Sequence, residues 1–145
     1  MNKPLIVITG ASSGFGAEIA KIFNQAGYPE LLLGRRVEKI QALPLNFENV
    51  MIESVDVTDQ AQFKTAIEHA EAKFGPVDLL VNNAGVMLLG NVTTQSPTEW
   101  QTMLDTNVMG VLNGTQIVLP SMLEREHGTI INMSSLAGKK TFVNH

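Results

Sequence analysis

Short, unbroken apolar runs alternate along the chain with longer stretches whose apolar residues recur every three or four positions. The runs cover residues 5–8, 31–33, 50–52, 79–81 and 129–133. Continuous rather than alternating apolarity predicts strands covered on both faces, as in parallel sheets. After Gly14, the residues Ile19, Ile22, Phe23 and Ala26 fall at i, i+3, i+4 and i+7 and predict a helix that buries this stripe and stops at Gly27. Phe63, Ala66, Ile67, Ala70 and Phe74 predict a second helix, ended by Gly75-Pro76. Ser96-Pro97-Thr98-Glu99 reads as a capping box with proline at the first helical position. It opens a third helix whose stripe is Trp100, Met103, Leu104, Val108, Val111 and Val118. Residues 36–43 predict a shorter helix.

Strands that alternate with helices form a βαβ series with right-handed crossovers. The predicted class is α/β, a Rossmann-type doubly wound parallel sheet of about five strands in one domain over residues 1–145. Such a sheet normally continues to a sixth strand, so the expectation is the N-terminal portion of a larger fold. The 145 residues carry a formal charge of −4 and no block of Lys or Arg, which argues against a nucleic-acid surface. The absence of cysteine excludes disulfides and thiolate metal sites, and no metal site is expected. The apolar start ends at Thr9-Gly10, too short for a leader, and no run is long enough to span a bilayer. The expectation is a soluble, cytoplasmic protein.

Directly after the first strand comes Thr9-Gly10-Ala11-Ser12-Ser13-Gly14-Phe15-Gly16, followed by a helix. Gly10 suits a sharp turn, Gly14 a close approach of backbone to a pyrophosphate, and Gly16 tight packing of helix on strand. The free N–H groups and positive end of the helix face the phosphates, with Ser12 and Ser13 as added hydroxyl donors. The spacing departs from G-x-G-x-x-G, and an ordinary Gly/Ser turn capping a helix is the plainer alternative.

The second strand ends Leu31-Leu32-Leu33-Gly34-Arg35-Arg36, with glycine where an acid would bind the ribose 2′-OH of NAD. Arginine there suits a 2′-phosphate through bidentate, charge-assisted hydrogen bonds, so NADP(H) is favoured over NAD(H). Two arginines that merely start a surface helix are the alternative.

Several stretches together resemble the short-chain dehydrogenase/reductase family. They are the T-G-x-x-x-G-x-G loop, Asp56-Val57, Asn82-Asn83-Ala84-Gly85, Asn107 with Gly110, and Ile131-Asn132-Met133-Ser134-Ser135. All stand in family order, over essentially the whole chain. The resemblance implies that Arg35 is the better 2′-phosphate ligand of the pair with Arg36. It also implies that Asp56 accepts from the adenine amino group with Val57 beside the ring; a turn or cap aspartate is the alternative, as for Asp59, but the place at the carboxyl end of a strand favours the binding role. Asn83 would brace the sheet, while Ala84 and Gly85 leave room for the cofactor ribose; a plain turn is the alternative.

Asn107 falls within the apolar stripe of the third helix, where a buried amide costs free energy unless it is hydrogen-bonded. It reads as a satisfied core residue or, by the resemblance, as the holder of a water in a proton relay. Ser135, the second serine after the fifth strand, would polarise the substrate carbonyl. The family's proton donor is the tyrosine of a Tyr-x-x-x-Lys pair expected soon after Ser135, beyond Gly138-Lys139-Lys140-Thr141-Phe142-Val143-Asn144-His145. The only tyrosine, Tyr28, precedes Pro29 far from this point, and Lys139 and Lys140 do not match the motif's lysine. His69 and His127 show no partners that suggest a base or ligand. The implied activity is NADP(H)-dependent hydride transfer between nicotinamide and a small-molecule carbonyl or secondary alcohol. The alternative is a non-catalytic NADP(H)-binding or sensor protein. A homo-dimer or homo-tetramer is expected of the full-length protein, with Leu112 and Leu119 off the main stripe and free to face a partner.

Overall fold

A computed structural model describes residues 2–141. Five strands, β1 (Leu5–Thr9), β2 (Glu30–Gly34), β3 (Val50–Ser54), β4 (Val77–Asn82) and β5 (Thr129–Asn132), form one parallel sheet in the order β3-β2-β1-β4-β5. The helices are α1 (Gly14–Gln25), α2 (Val37–Gln41), α3 (Gln60–Phe74), α4 (Pro97–Leu104) and α5 (Gly110–Glu124). The predicted Rossmann-type sheet of about five strands with flanking helices is therefore the observed one.

Successive side chains of a strand point to opposite faces, and the two faces form two cores. Leu5, Val7, Leu31, Leu33 and Leu80 pack with Phe63, Ala66, Ile67 and Ala70 of α3 and Val118 and Met122 of α5. Ile6, Ile8, Leu32, Leu79 and Val81 pack with Ala20 of α1 and Ile40 of α2. Strands β1 and β2 are buried throughout, which is why their sequences read as unbroken apolar runs. Strand β5 departs from this expectation: three of its four residues are exposed. Helices α1 and α2 lie over β1, β2 and β3, and the same face of β5, including Ile131, has no helix over it among the described residues.

Helix α1 also buries a different stripe from the predicted one. Gly16, Ala17 and Ala20 are buried, with Ile19 and Phe23 beside them, whereas Ile22 is 64% exposed and Ala26 is exposed. Small residues let the helix axis approach the sheet closely, so the contact face follows them rather than the largest apolar side chains. In α3 the predicted stripe is the buried one, apart from a half-buried Phe74, and Asp59 caps it by accepting from the Gln62 N–H at 3.0 Å. The predicted capping box of α4 is present, with Ser96 and Glu99 each accepting from the other's backbone N–H.

The third predicted helix is interrupted by a π-helical turn, Asp105–Met109, between α4 and α5. A wider turn rotates everything on one side of it relative to the other. Trp100, Leu104 and Val108, read as one buried stripe with Val118, are accordingly exposed. Helix α5 instead buries Gly110, Asn113, Gly114, Val118 and Met122. Two glycines set its distance from the sheet. A Cβ on Gly110 would stand 2.6 Å from Val57 Cγ2, and one on Gly114 would stand 2.8 Å from Asn82 Oδ1 and 2.9 Å from the Phe63 ring. Gly114→Ala is therefore expected to destabilise the fold by overpacking, by about 1–3 kcal/mol, measured as a lower urea midpoint at unchanged slope.

Candidate functional site

The central strand β1 has β2 on one side and β4 on the other, so the strand order reverses there and a crevice opens beyond the carboxyl ends of the strands. Thr9 closes its floor. The buried Thr9 hydroxyl accepts from the backbone N–H groups of Asn83 (3.0 Å) and Ala84 (2.9 Å) and donates toward the Val81 carbonyl at 3.4 Å. Asn83, just after β4, answers with its Nδ2, which donates to the carbonyls of Thr9 and Gly10, both at 3.2 Å.

On this floor the glycine loop turns into α1. Gly10 has φ +64°, and a Cβ there would meet the Ala84 backbone at 2.8 Å. A Cβ on Gly16 would meet the Gly10 carbonyl oxygen at 2.3 Å and Asn83 Nδ2 at 2.5 Å. The close approach at Gly16 is thus to the loop itself and to Asn83. Gly14, with φ +56°, has nothing within 4 Å of a Cβ and faces open space. The start of α1 differs from those of α3 and α4: Ser13 makes no side-chain cap, whereas Asp59 and Ser96 cap the other two helices. The first N–H groups of a helix have no partner within it, so this end presents uncapped donors and a positive dipole end to the crevice. Phe15 stands at the rim, 75% exposed.

The crevice is a cavity of about 400 Å³ lined by Gly10, Ser12 and Ser13, by Gly34, Arg35 and Arg36, by Asp56 and Val57, and by Asn83, Ala84 and Gly85. Gly34 and Ser12 adjoin, a Cβ on Gly34 standing 3.6 Å from Ser12 Cβ, and the exposed Arg35 and Arg36 follow at once. Asp56 is both a turn aspartate and a wall of the cavity. Its Oδ1 accepts from the Thr58 N–H at 3.0 Å and the Thr58 hydroxyl at 2.8 Å. The Thr58 N–H, the Thr58 hydroxyl and the Arg35 charge together hold its carboxyl below the usual carboxylate range, against the upward push of burial. It is therefore ionised at neutral pH, with Oδ2 left as an acceptor.

Sequence reasoning missed one wall. Val55, Thr58 and Val86 extend stretches already singled out, but Thr102, Asp105 and Thr106 enter from the end of α4 and the π turn. Only the tertiary path of that helix brings them to the crevice, and no local pattern marks them.

Thr9, Gly14, Phe15 and Gly16 shape the crevice without lining the cavity, and Asn107 and Ser135 also stand outside its lining. Asn107 is not on a buried face: it is exposed on the π turn, and its amide is spent on the backbone of Val86. Its Oδ1 accepts from the Val86 N–H at 2.8 Å, and its Nδ2 donates to the Val86 carbonyl at 2.7 Å. The amide thereby pins the π turn to the segment that leaves β4. Ser135 follows β5 and opens a short 3₁₀ turn, its Oγ accepting from the Ala137 N–H at 3.2 Å. Each histidine faces one carboxylate: His69 Nδ1 lies 2.9 Å from Glu53 Oε1, and His127 Nε2 lies 2.9 Å from Asp78 Oδ1. None of these four residues lines the cavity. Among the described residues, no group of three or more His, Cys, Asp or Glu is placed to hold a metal, and no helix is long and apolar enough to cross a membrane. Phe142, Val143, Asn144 and His145, on the path toward the expected tyrosine, lie outside the described residues.

Comparison with known proteins gives a consistent set of relatives. Residues 4–145 match the profile of a family described as short chain dehydrogenase. The chain is 40% identical over 136 residues to an NADP-dependent 3-hydroxy acid dehydrogenase of Salmonella typhi, covering 92% of this chain and 55% of that protein. The crystal structure of serine dehydrogenase from Escherichia coli superposes with a TM-score of 0.89 at 38% identity, over 97% of this chain and 66% of that one. A closed form of serine dehydrogenase complexed with NADP+ superposes with a TM-score of 0.90 at 38% identity, over 97% of this chain and 57% of the other. The chain thus spans a little over half the length of the curated relative. With the glycine loop, the crevice at the β1/β4 reversal and a family match over nearly all its residues, the chain belongs to the short-chain dehydrogenase family.

Proposed function

We propose that this crevice binds NADP(H) and that the whole protein is an oxidoreductase acting on a small-molecule carbonyl or secondary alcohol. The observation that carries the reading is the start of α1: an uncapped helix end behind a glycine loop, with open space at Gly14 and two exposed arginines across the same cavity. The pyrophosphate fits the N–H groups of residues 14–16, and Ser12, Arg35 and Arg36 surround the place of a 2′-phosphate. The Oδ2 of the ionised Asp56 accepts from the adenine amino group beside Val57, and Ala84 and Gly85 leave space for the second ribose. The NADP-dependent Salmonella relative and the NADP+-bound serine dehydrogenase support the choice of cofactor.

When bound, the nicotinamide supplies or accepts the hydride. The Ser135 hydroxyl, which accepts from Ala137, retains its own proton to donate to a substrate carbonyl oxygen. Asn107 pins the π turn to the Val86 backbone, and the family likeness supports it as the residue that orders a relay water. The proton comes from the family's Tyr-x-x-x-Lys pair, which Tyr28, Lys139 and Lys140 do not supply. On this reading residues 1–145 alone bind NADPH and turn over carbonyl compounds very slowly or not at all. The whole protein is also proposed to be a homo-dimer or homo-tetramer: α5 leaves Leu112, Leu119 and Leu123 exposed at i, i+7 and i+11, an apolar row that a second copy would cover.

Fluorescence titration with NADPH and NADH tests the cofactor site. Arg35→Ala is expected to weaken NADPH by roughly ten- to a hundredfold, the equivalent of one charge-assisted hydrogen bond of about 1.5–3 kcal/mol, while NADH affinity stays unchanged. Equal loss of both nucleotides would remove Arg35 from the 2′-phosphate. Gly16→Ala forces a Cβ onto the Gly10 carbonyl and is expected to abolish binding of both. Binding of NADPH by the whole protein without turnover of any carbonyl would favour a sensor instead. For the oligomer, Leu112→Asp is expected to shift the sedimentation coefficient of the whole protein to a smaller species.

A further inference from the structure

At the end of the sheet opposite the crevice, one carboxylate is buried without a charged partner. Glu30 begins β2, paired with Ile6 of β1 and Val50 of β3, and its side chain has no exposed surface. Its Oε1 has no hydrogen-bond partner, and its Oε2 accepts one bond, from Asn24 Nδ2 at 3.2 Å. A buried carboxylate with one neutral donor is poorly compensated when ionised.

Asn24 makes this more than a local defect. From the last turn of α1, its Nδ2 also donates to the Asn46 carbonyl at 2.9 Å, and its Oδ1 accepts from the Asn46 N–H at 2.8 Å. Asn46 lies in the connection from α2 to β3, and its own side chain accepts from the Glu48 N–H at 3.1 Å, starting the 3₁₀ turn Phe47–Asn49. One amide therefore ties the end of α1, the start of β2 and the lead into β3, and Glu30 sits directly on that amide. Helix α1 begins at the glycine loop and α2 begins just after Arg36, so the tie joins the far end of α1 to the connection that follows α2.

The surrounding charged groups do not neutralise Glu30. On α1, Lys21 pairs with Glu18 at 2.6 Å. Ahead of β1, Lys3 donates to the Ala26 carbonyl and lies over the Tyr28 ring. On β3, Glu53 faces His69. Glu38 and Lys39 of α2, and Glu48 of the 3₁₀ turn, make no hydrogen bond or ion pair with it among the described residues.

We propose that Glu30, Asn24 and Asn46 form a proton-operated latch that fastens α1 to the α2–β3 connection. With Glu30 protonated, its oxygens carry no charge and the Asn24–Asn46 pair, which lies at the exposed edge above the buried carboxyl, stays closed. With Glu30 ionised, the buried charge draws water to Oε1 and pulls Asn24 Nδ2 toward Oε2, shifting the amide from its position against Asn46, and the pair loosens. The direction of titration fits: burial, opposed by the Asn24 hydrogen bond, raises the carboxyl from 4.5 to about 7. Between these values the folded chain binds more protons at Glu30 than the unfolded chain does. The contribution of Glu30 to stability is therefore complete below about 4.5 and falls as pH rises, being lost above about 7.

The test follows the Glu30 carboxyl carbon and the backbone amides of Asn46 and Gly14–Gly16 by NMR in the whole protein, without cofactor, from pH 5 to pH 8. The latch requires the carboxyl to titrate near neutral pH and the amides at both places to move with the same midpoint. In Glu30→Gln, which cannot ionise, these amides should hold their low-pH positions up to pH 8, and the Tm should lose the decline that the wild type shows over this range. A Glu30 midpoint in the ordinary glutamate range would overturn the proposal, as would amides that do not follow the carboxyl. Should Glu30→Gln fail to fold, the wild-type titration decides alone.

Discussion

The crevice depends on a lock between two strand ends. β1 and β4 are neighbours in space but 72 residues apart at the Thr9–Val81 contact, and nothing local in the chain brings their ends into register. The Thr9 hydroxyl gathers two N–H groups and aims at a carbonyl, and Asn83 returns two hydrogen bonds to the Thr9 and Gly10 carbonyls. Groups this close to a buried floor need partners, and the exchange satisfies them while fixing Gly10 against Ala84. Every other feature of the site is measured from there: Gly16 rests on Gly10 and Asn83, α1 starts at Gly14, and Gly85 leaves β4 toward Asn107, whose Oδ1 would stand 3.2 Å from a Cβ on Gly85.

A second level of fastening works through helix α4–α5. Its glycines let it lie against Val57, Asn82 and Phe63, and its π turn carries Asn107 to the Val86 backbone. The same turn brings Asp105 and Thr106 to the cavity wall. The π turn therefore has a structural consequence on both sides: it closes the crevice and it turns an apolar row of α5 outward.

Much of this was legible because local signals and burial agreed. The apolar runs that became β1, β2 and β4 are buried on both faces, and α3 and the start of α4 follow from stripe and cap. The glycine loop, Arg35, Asp56 and Asn83 fall together in one crevice because each follows the carboxyl end of a strand, a position that can be counted from sequence. What could not be counted was packing distance and helix phase. Ile22 loses its place in the core to Ala17 and Ala20 because a close helix prefers small side chains, and Trp100, Leu104 and Val108 lose theirs to a five-residue turn that a 3.6-residue period does not register. Thr102 and Asp105 were invisible for the same reason. Glu30 carries no local mark of burial in the sequence; only its pairing with both flanking strands encloses it.

The loop after β1 and the arginines after β2 are proposed to grip one NADP(H) between them, the loop at its pyrophosphate and Arg35 at its 2′-phosphate. The most direct measurement is a crystal structure of the whole protein grown with NADP+. Pyrophosphate oxygens are expected within hydrogen-bond distance of the N–H groups of residues 14–16, and the 2′-phosphate against Arg35. A nucleotide seated elsewhere, or those N–H groups left facing water while NADP+ is bound, would contradict this assignment.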